Sequence, residues 1–140
     1  MRRVITYGTF DLMHYGHINL LKRAKQYGDY LVVSLADDEF SKKHNNKNCY
    51  FKYEERKQLL ESIRYVDLVI PQPYFYDKIA DIEKYHINTV VMGDDWQGEY
   101  SFLEPHCEVV YLPRTPEIST SKMKKDNCTE SLNNEIHKTN

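Results

Sequence analysis

Two histidines, His14 and His17, bracket Tyr15 and Gly16 where a glycine-containing turn gives way to a helix-like pattern. A helix N-terminus presents free backbone N–H groups and a partial positive charge, both favourable to phosphate. Two imidazoles there add hydrogen-bond donors, and Gly16 lets the backbone come close to a ligand. The arrangement suits a triphosphate whose α-phosphate is under attack. A pair of surface histidines, or two ligands of a metal, is the plainer alternative. A second segment, Arg114-Thr115 with Ile118-Ser119-Thr120-Ser121, follows the same logic. Arginine offers a forked donor to phosphate oxygens, and Ser119 or Thr120 can cap a helix while donating to a bound anion. Taken alone, that segment reads equally as an ordinary cap beside a surface arginine. Asp94, Asp95 and Trp96 follow Gly93 and suit a ribose, a base amine or a metal-bound phosphate, or simply a turn. Asp11 suits the orienting of a histidine, the holding of Mg²⁺ or a turn. Arg56 and Arg64 fall on a helix-like stretch, where arginines are usually solvated. Arg64 and Asp67 could pair within the chain or across a subunit contact.

The elements that must position these groups alternate between strand-like and helix-like patterns. Val4–Tyr7 reads as a buried strand, followed by a helix from Gly16 to about Tyr27 with Ile18, Leu20, Leu21 and Ala24 as core positions. Gly28 ends that helix, as glycine does past many C-termini. Tyr30–Ala36 is a second buried strand, and the polar residues 41–50 form a loop carrying Lys42, Lys43 and Lys47. A helix from Tyr53 to about Arg64 precedes a short strand, Asp67–Ile70, stopped by Pro71 and Pro73. A helix over Asp77–Tyr85, strands at Thr89–Met92 and Glu108–Leu112, and a last helix from near Ser119 complete the pattern. This rhythm predicts an α/β fold: a Rossmann-like, doubly wound, parallel five-stranded sheet with helices on both faces. Ligands bind such sheets outside the carboxyl ends of the strands, where the strand order reverses. The His14–His17, Asp94–Trp96 and Arg114–Thr120 segments all follow strands, so they converge on one cleft.

The 140 residues suit one domain over 1–125, with 126–140 a polar tail expected to be poorly ordered. No apolar run approaches the roughly 18–20 residues that span a bilayer. The first residues turn polar too soon for a signal peptide, which predicts a cytoplasmic protein without membrane insertion. The three cysteines, Cys49, Cys107 and Cys128, have neither metal-ligand spacing nor an even count. A formal net charge of -2 argues against a general nucleic-acid binder. The chain lacks the G-x-x-x-x-G-K-[ST] loop, the G-x-G-x-x-G fingerprint and the G-x-S-x-G elbow. The helix-opening loop is thus of a histidine type.

Gly8-Thr9-Phe10-Asp11 followed by His14-x-Gly16-His17 resembles the start of the HxGH nucleotidyltransferase superfamily. Arg114-Thr115-x-x-Ile118-Ser119-Thr120 resembles the second motif of its cytidylyltransferase branch. The likeness runs from Arg2 to about Lys125. It includes Gly28–Val33, Ile63–Asp67 and Val91–Trp96, and within the branch it is to the enzymes that use glycerol 3-phosphate as acceptor. The resemblance implies a transferase making CDP-glycerol and pyrophosphate from CTP and glycerol 3-phosphate with Mg²⁺, as a homodimer through the Arg64–Asp67 region. Its product would feed teichoic-acid or capsule biosynthesis.

Carried over residue by residue, His14, His17, Arg114 and Lys47 are the catalytic group. Thr9, Phe10, His14, His17, Asp95, Arg114, Thr115, Ile118, Ser119 and Thr120 hold the nucleotide. Asp38, Lys43, Lys47, Arg56, Phe75 and Lys78 face the acceptor. Asp11 is a weak metal ligand, since the CTP phosphates would hold most of the Mg²⁺. Relatives usually carry a glycine before Ile118, where Pro116 and Glu117 stand here, and often a tryptophan at Phe75. Two other readings are open. One is a different phosphorylated acceptor, such as phosphoethanolamine, phosphocholine or a sugar phosphate. The other is a nucleotide-binding regulatory module without activity.

Overall fold

The computed structural model describes residues 1–44, 48–73 and 77–113. In chain order these form β1 (Arg3–Gly8), α1 (Tyr15–Lys25), β2 (Tyr30–Ala36), α2 (Asp38–His44), α3 (Tyr53–Glu61), β3 (Leu68–Gln72), α4 (Lys78–Lys84), β4 (Thr89–Gly93) and β5 (Glu108–Leu112). Short 3₁₀ turns occupy Asp94–Trp96 and Ser101–Leu103. The strands make one parallel sheet in the order β3-β2-β1-β4-β5. The chain winds from β1 to one edge, then returns past β1 to the other. The sheet is therefore doubly wound, as expected.

Both faces of the sheet are covered, so its strands are near-continuously apolar rather than alternating. Leu31 to Ala36 of β2 are all buried. One face packs Val4, Leu31, Val33, Val69 and Val91 against Leu21 and Ala24 of α1 and Leu60 of α3. The other packs Ile5, Tyr7, Val32, Val90 and Met92 against Ile82 of α4 and Tyr100 and Leu103 beyond β4. Of the four core positions expected in α1, Leu21 and Ala24 are buried, whereas Ile18 and Leu20 are partly exposed. Helix α1 ends before Gly28, and a Cβ at residue 28 would lie 2.6 Å from the Arg2 carbonyl oxygen. Close approach of two backbones, more than helix termination, requires glycine there.

Three boundaries depart most from the sequence reading. Helix α3, expected to reach about Arg64, ends at Glu61. Residues 41–44, expected in a loop, complete α2. Its start is set by Asp37, whose Oδ1 accepts the Phe40 N–H at 2.7 Å, with Asp38 and Glu39 in the first turn. Strand β3 does not stop before Pro71 but pairs through it, Leu35 opposite Pro71 and Ala36 opposite Gln72. It is an edge strand, where the missing proline N–H is tolerated. The last helix and the 126–140 tail lie outside the described residues.

Helix α4 is capped by Asp77, whose Oδ1 accepts from Ile79 N and Ala80 N. One turn on, Asp81 Oδ2 is buried without a hydrogen-bond partner among the described residues. Burial, partly offset by Lys84, pushes its carboxyl up to about 6. Because the folded value is raised, the charge penalty is absent below about pH 4 and fully present above about pH 6. Asp81→Asn is therefore expected to stabilise the protein at pH 8 but not at pH 4. With solvent screening allowed for, the gain is on the order of 1 kcal/mol. Urea titrations at the two pH values measure it, and equal gains at both would contradict the assignment.

Candidate active site

The sheet opens where its winding reverses. β1 pairs with β2 along its whole length, from Arg3 with Tyr30 to Gly8 with Leu35. On its other side it meets β4 at Val4–Thr89 and Ile5–Val90, and beyond Ile5 no register pair joins the two among the described residues. The carboxyl ends of β1 and β4 thus diverge at the switch point of the fold. His14 and His17 enter from the α1 side, and Asp94 and Asp95 follow β4.

His14 is the N-cap of α1. Its Nδ1 accepts the Gly16 N–H at 3.0 Å, and Nδ1 of His17 accepts the His14 N–H at 3.2 Å. Histidine here takes the reciprocal capping role usually played by Ser or Thr with Glu. The hydrogen bonds also assign the tautomer: an Nδ1 that accepts leaves the ring proton on Nε2. Both neutral imidazoles are therefore Nε2–H donors whose Nδ1 atoms are tied to the backbone of the first helical turn. The rings stack, with centroids 4.0 Å apart and planes inclined by 25°. Burial, with the neighbouring His14, pulls the His17 imidazolium down to about 4 against a smaller opposing effect of Asp11. At neutral pH His17 is an uncharged donor in a partly dry site, next to the positive end of a helix.

The loop between β1 and α1 is strained and braced. Phe10 and Leu12 have φ of 49° and 51°, left-handed values that are uncommon outside glycine and cost about 1–3 kcal/mol each. Asp11, between them, accepts the Tyr50 N–H at 2.6 Å and the Phe51 N–H at 3.0 Å. The carboxylate expected as a weak metal ligand thus tethers the chain entering α3. Among the described residues no group of three or more His, Cys, Asp or Glu side chains gathers as a metal site.

Arg56, expected at the acceptor, is fully buried instead. Its guanidinium donates to the carbonyls of Thr9 at 2.8 Å, Ala36 at 2.8 Å and Phe51 at 3.0 Å, and to Asp38 Oδ1 at 2.7 Å. Asp38, the other expected acceptor residue, thus pairs with Arg56 and also accepts the Tyr53 N–H. Together they clasp the ends of β1 and β2 to the starts of α2 and α3. Phe10, expected in the nucleotide site, turns its ring into the core at 5% exposure.

Lys78, at the start of α4, reaches the carboxyl end of β1 from the opposite face of the sheet. Its Nζ lies 5.3 Å from the Tyr7 ring centre and 5.6 Å from that of Tyr100. Burial lowers its ammonium from the ordinary value. The two tyrosines went unread in the sequence as part of the site. Tyr7 looked like strand core, and the aromatic spacing of Trp96, Tyr100 and Phe102 was the available signal. Asp95 is exposed, its carboxylate curling back over Gly93. Lys43 pairs with Glu39 along α2 at 3.1 Å. Arg64 is exposed, while Asp67 binds Lys25 Nζ and the Leu31 N–H, each at 2.8 Å. Arg23 Nη1 donates to the Pro113 carbonyl at 2.8 Å, joining α1 to the chain just before Arg114. Lys47, Phe75, Arg114, Thr115, Ile118, Ser119 and Thr120 lie outside the described residues.

A family model described as cytidylyltransferase-like matches residues 5–126. The glycerol-3-phosphate cytidylyltransferase of Staphylococcus aureus strain NCTC 8325 is 58% identical over 127 residues, covering 90% of this chain and 95% of its own. The enzyme of that name from Bacillus subtilis strain 168 is 57% identical over 126 residues, covering 90% and 97%. Among solved structures, the lipopolysaccharide core biosynthesis protein of Thermoplasma volcanium superposes with a TM-score of 0.69 at 27% identity, over 82% of this chain and 98% of that one.

Proposed function

The chain belongs to the cytidylyltransferase-like family, and from that premise we propose that it transfers CMP from CTP to glycerol 3-phosphate, giving CDP-glycerol and pyrophosphate. The observation that carries the chemistry is the stacked, neutral imidazole pair at the N-terminus of α1. The identity of 57–58% with two relatives bearing that activity in their names supports the acceptor.

A phosphate oxygen of glycerol 3-phosphate attacks the α-phosphorus of CTP in line with the bond to the β-phosphate oxygen. A new P–O bond forms as the α–β bridge breaks, and pyrophosphate leaves with the electron pair. The nucleophile is already an anion, so no general base is required. Catalysis is then placement and electrostatics. The Nε2–H groups of His14 and His17 donate to oxygens of the α- and β-phosphates, where charge gathers as the bond breaks. Being neutral, they need no proton change to act as donors. Lys78 and its tyrosine platform are placed to meet an acceptor anion from the other face. Mg²⁺, when bound, neutralises phosphate charge and favours pyrophosphate as leaving group. Magnesium characteristically keeps several waters and binds through substrate phosphates plus one or two carboxylates. The described residues fit an ion that arrives on CTP, with Asp95 exposed beside the end of β4. Use of a nucleotide substrate supports a cytoplasmic setting for the activity. The exposed Arg64, beside Asp67, offers a contact to a second copy.

Purified protein with CTP, Mg²⁺ and a panel of phosphorylated alcohols tests the reading through pyrophosphate release. Release with glycerol 3-phosphate and no other acceptor is expected. Release with phosphoethanolamine or phosphocholine would replace the acceptor and keep the mechanism. No release with any acceptor, despite CTP binding, would leave a nucleotide-binding module. Sedimentation of the same sample is expected to give the mass of two chains, and a monomer would remove the proposed contact.

A further inference from the structure

We propose that Phe10 is a positioning residue for His17: its ring, folded back over Gly8 by a left-handed backbone, is the wall that sets the plane of the His17 imidazole and keeps water from it. The inference uses the proposed reaction for its turnover readout and for nothing else.

The final side-chain torsion of histidine is broad and roughly two-fold, so the ring plane must be set by neighbours. The His14 N–H on Nδ1 fixes which way the His17 ring is flipped. It leaves the ring free to rock about that bond. Among the described residues two ring contacts limit the rocking: His14, stacked at 4.0 Å, and Phe10, at 5.4 Å with planes inclined by 59°. His14 is itself held by the first turn of α1 and shares its motion. Phe10 is anchored elsewhere, in the core cluster with Val4, Leu21, Ala24, Val33 and Leu35. It is therefore the contact that refers the donor to the rigid sheet. A buried hydrocarbon edge also offers nothing to solvate an imidazolium, which accords with burial as the main cause of the low His17 value.

The backbone around Phe10 is arranged to deliver that ring. A φ of 49° is unusual for a bulky residue and persists where the surroundings hold it. Both neighbours of Phe10 are fastened to the same segment before α3. The Thr9 carbonyl accepts from Arg56, which also holds the Phe51 carbonyl, and the Asp11 carboxylate accepts the Tyr50 and Phe51 N–H groups. Residue 8 has to be glycine for the same reason. A Cβ there would stand 2.7, 3.1 and 3.2 Å from three carbons of the Phe10 ring. Gly8→Ala therefore displaces the wall without altering its chemistry, which gives a second and independent handle.

The experiment joins steady-state turnover with an NMR titration of the His17 ring in the wild type, Phe10→Leu and Gly8→Ala. In the wild type the ring is expected to stay in the Nε2–H tautomer and to titrate near 4. In each variant titration should move toward the ordinary value of about 6.5. Turnover should fall about 10–100-fold, part of what loss of a whole preorganised donor costs, with KM for CTP within about twofold. A folded variant with wild-type turnover, with wild-type His17 titration, or with its loss confined to KM overturns the proposal. If neither variant folds, Phe10→Met, which keeps the volume but not the flat wall, carries the same two readouts, and wild-type turnover or wild-type His17 titration in it overturns the proposal. Should the wild type turn over no acceptor at all, the reaction is misassigned, while the titrations still decide whether Phe10 sets the ring.

Discussion

Replacing His17 by alanine is expected to lower kcat for CDP-glycerol formation by about 10²–10³, the loss typical of one preorganised donor at a site of developing negative charge. The argument rests on how firmly that donor is held. Its Nδ1 is engaged by the His14 N–H, its ring lies against His14 and Phe10, and its proton is left on Nε2. A group so constrained needs no reorganisation as the α–β bond breaks. It gives most when charge has built up and less to ground-state CTP, so KM should change little. His14→Ala should show a loss of similar size but a different companion effect. His14 also accepts the Gly16 N–H as the N-cap of α1, so that variant should lose about 1 kcal/mol of stability as well. The double variant should be hardly slower than the worse single one if the two rings act as a unit. Pyrophosphate release under saturating CTP measures all three. A His17→Ala enzyme that keeps kcat within a few-fold of the wild type would remove the imidazole pair from the mechanism.

Arg56→Ala is expected to destabilise the protein by about 3–5 kcal/mol, a large part of the 5–15 kcal/mol that holds a domain of this kind together. Truncation empties a fully buried volume and leaves the carbonyls of Thr9, Ala36 and Phe51 without the guanidinium that now satisfies them. Each orphaned buried acceptor costs about 1–3 kcal/mol, with partial relaxation expected. Arg56→Lys should recover a small part, because an ammonium cannot reproduce a fork that reaches carbonyls from three elements and a carboxylate at once. Asp38→Ala should cost less, since that carboxylate is half exposed and its ion pair is screened. Urea unfolding followed by circular dichroism gives the values. If Arg56→Ala unfolds like the wild type yet loses activity through KM for glycerol 3-phosphate, the side chain serves the acceptor, as the sequence suggested, and the clasp is secondary.

The contrast between the two predictions follows what sequence can and cannot report. His14-x-Gly16-His17 was legible because its meaning is local. The spacing of three places both rings on the first turn of one helix, and the capping bonds form within four residues. Strands β2 and β5 were read to the residue, since parallel strands covered on both faces are short apolar runs that polar neighbours end abruptly. Strand β4 was read to within one residue by the same signal. The doubly wound order followed from the alternation of strand and helix. Helix α2 was obscured by its lysines, although Asp37 with Asp38 and Glu39 was a sufficient start signal. The fate of Pro71 was hidden, because edge position is a property of the sheet and not of the strand.

Side-chain roles that span elements were not in the chain's local pattern. Arg56 and Arg64 occupy the same helix-like stretch and carry the same charge. One is sealed beneath four elements and the other is exposed, because Arg56 faces the space where β1 and β2 end and α2 begins, whereas Arg64 lies past the end of α3. Asp11 looks like a turn residue or a metal ligand until Tyr50 and Phe51 are brought beside it from 39 and 40 residues away. That the ring of Phe10 is folded into the core follows from a left-handed backbone that the local pattern does not announce. Local periodicity, capping and punctuation thus suffice for the fold class, the strand ends and the histidine pair, since those depend on neighbours along the chain. Which polar groups face the cleft and which brace it depends on neighbours across the chain, where burial and hydrogen-bond satisfaction are settled by packing.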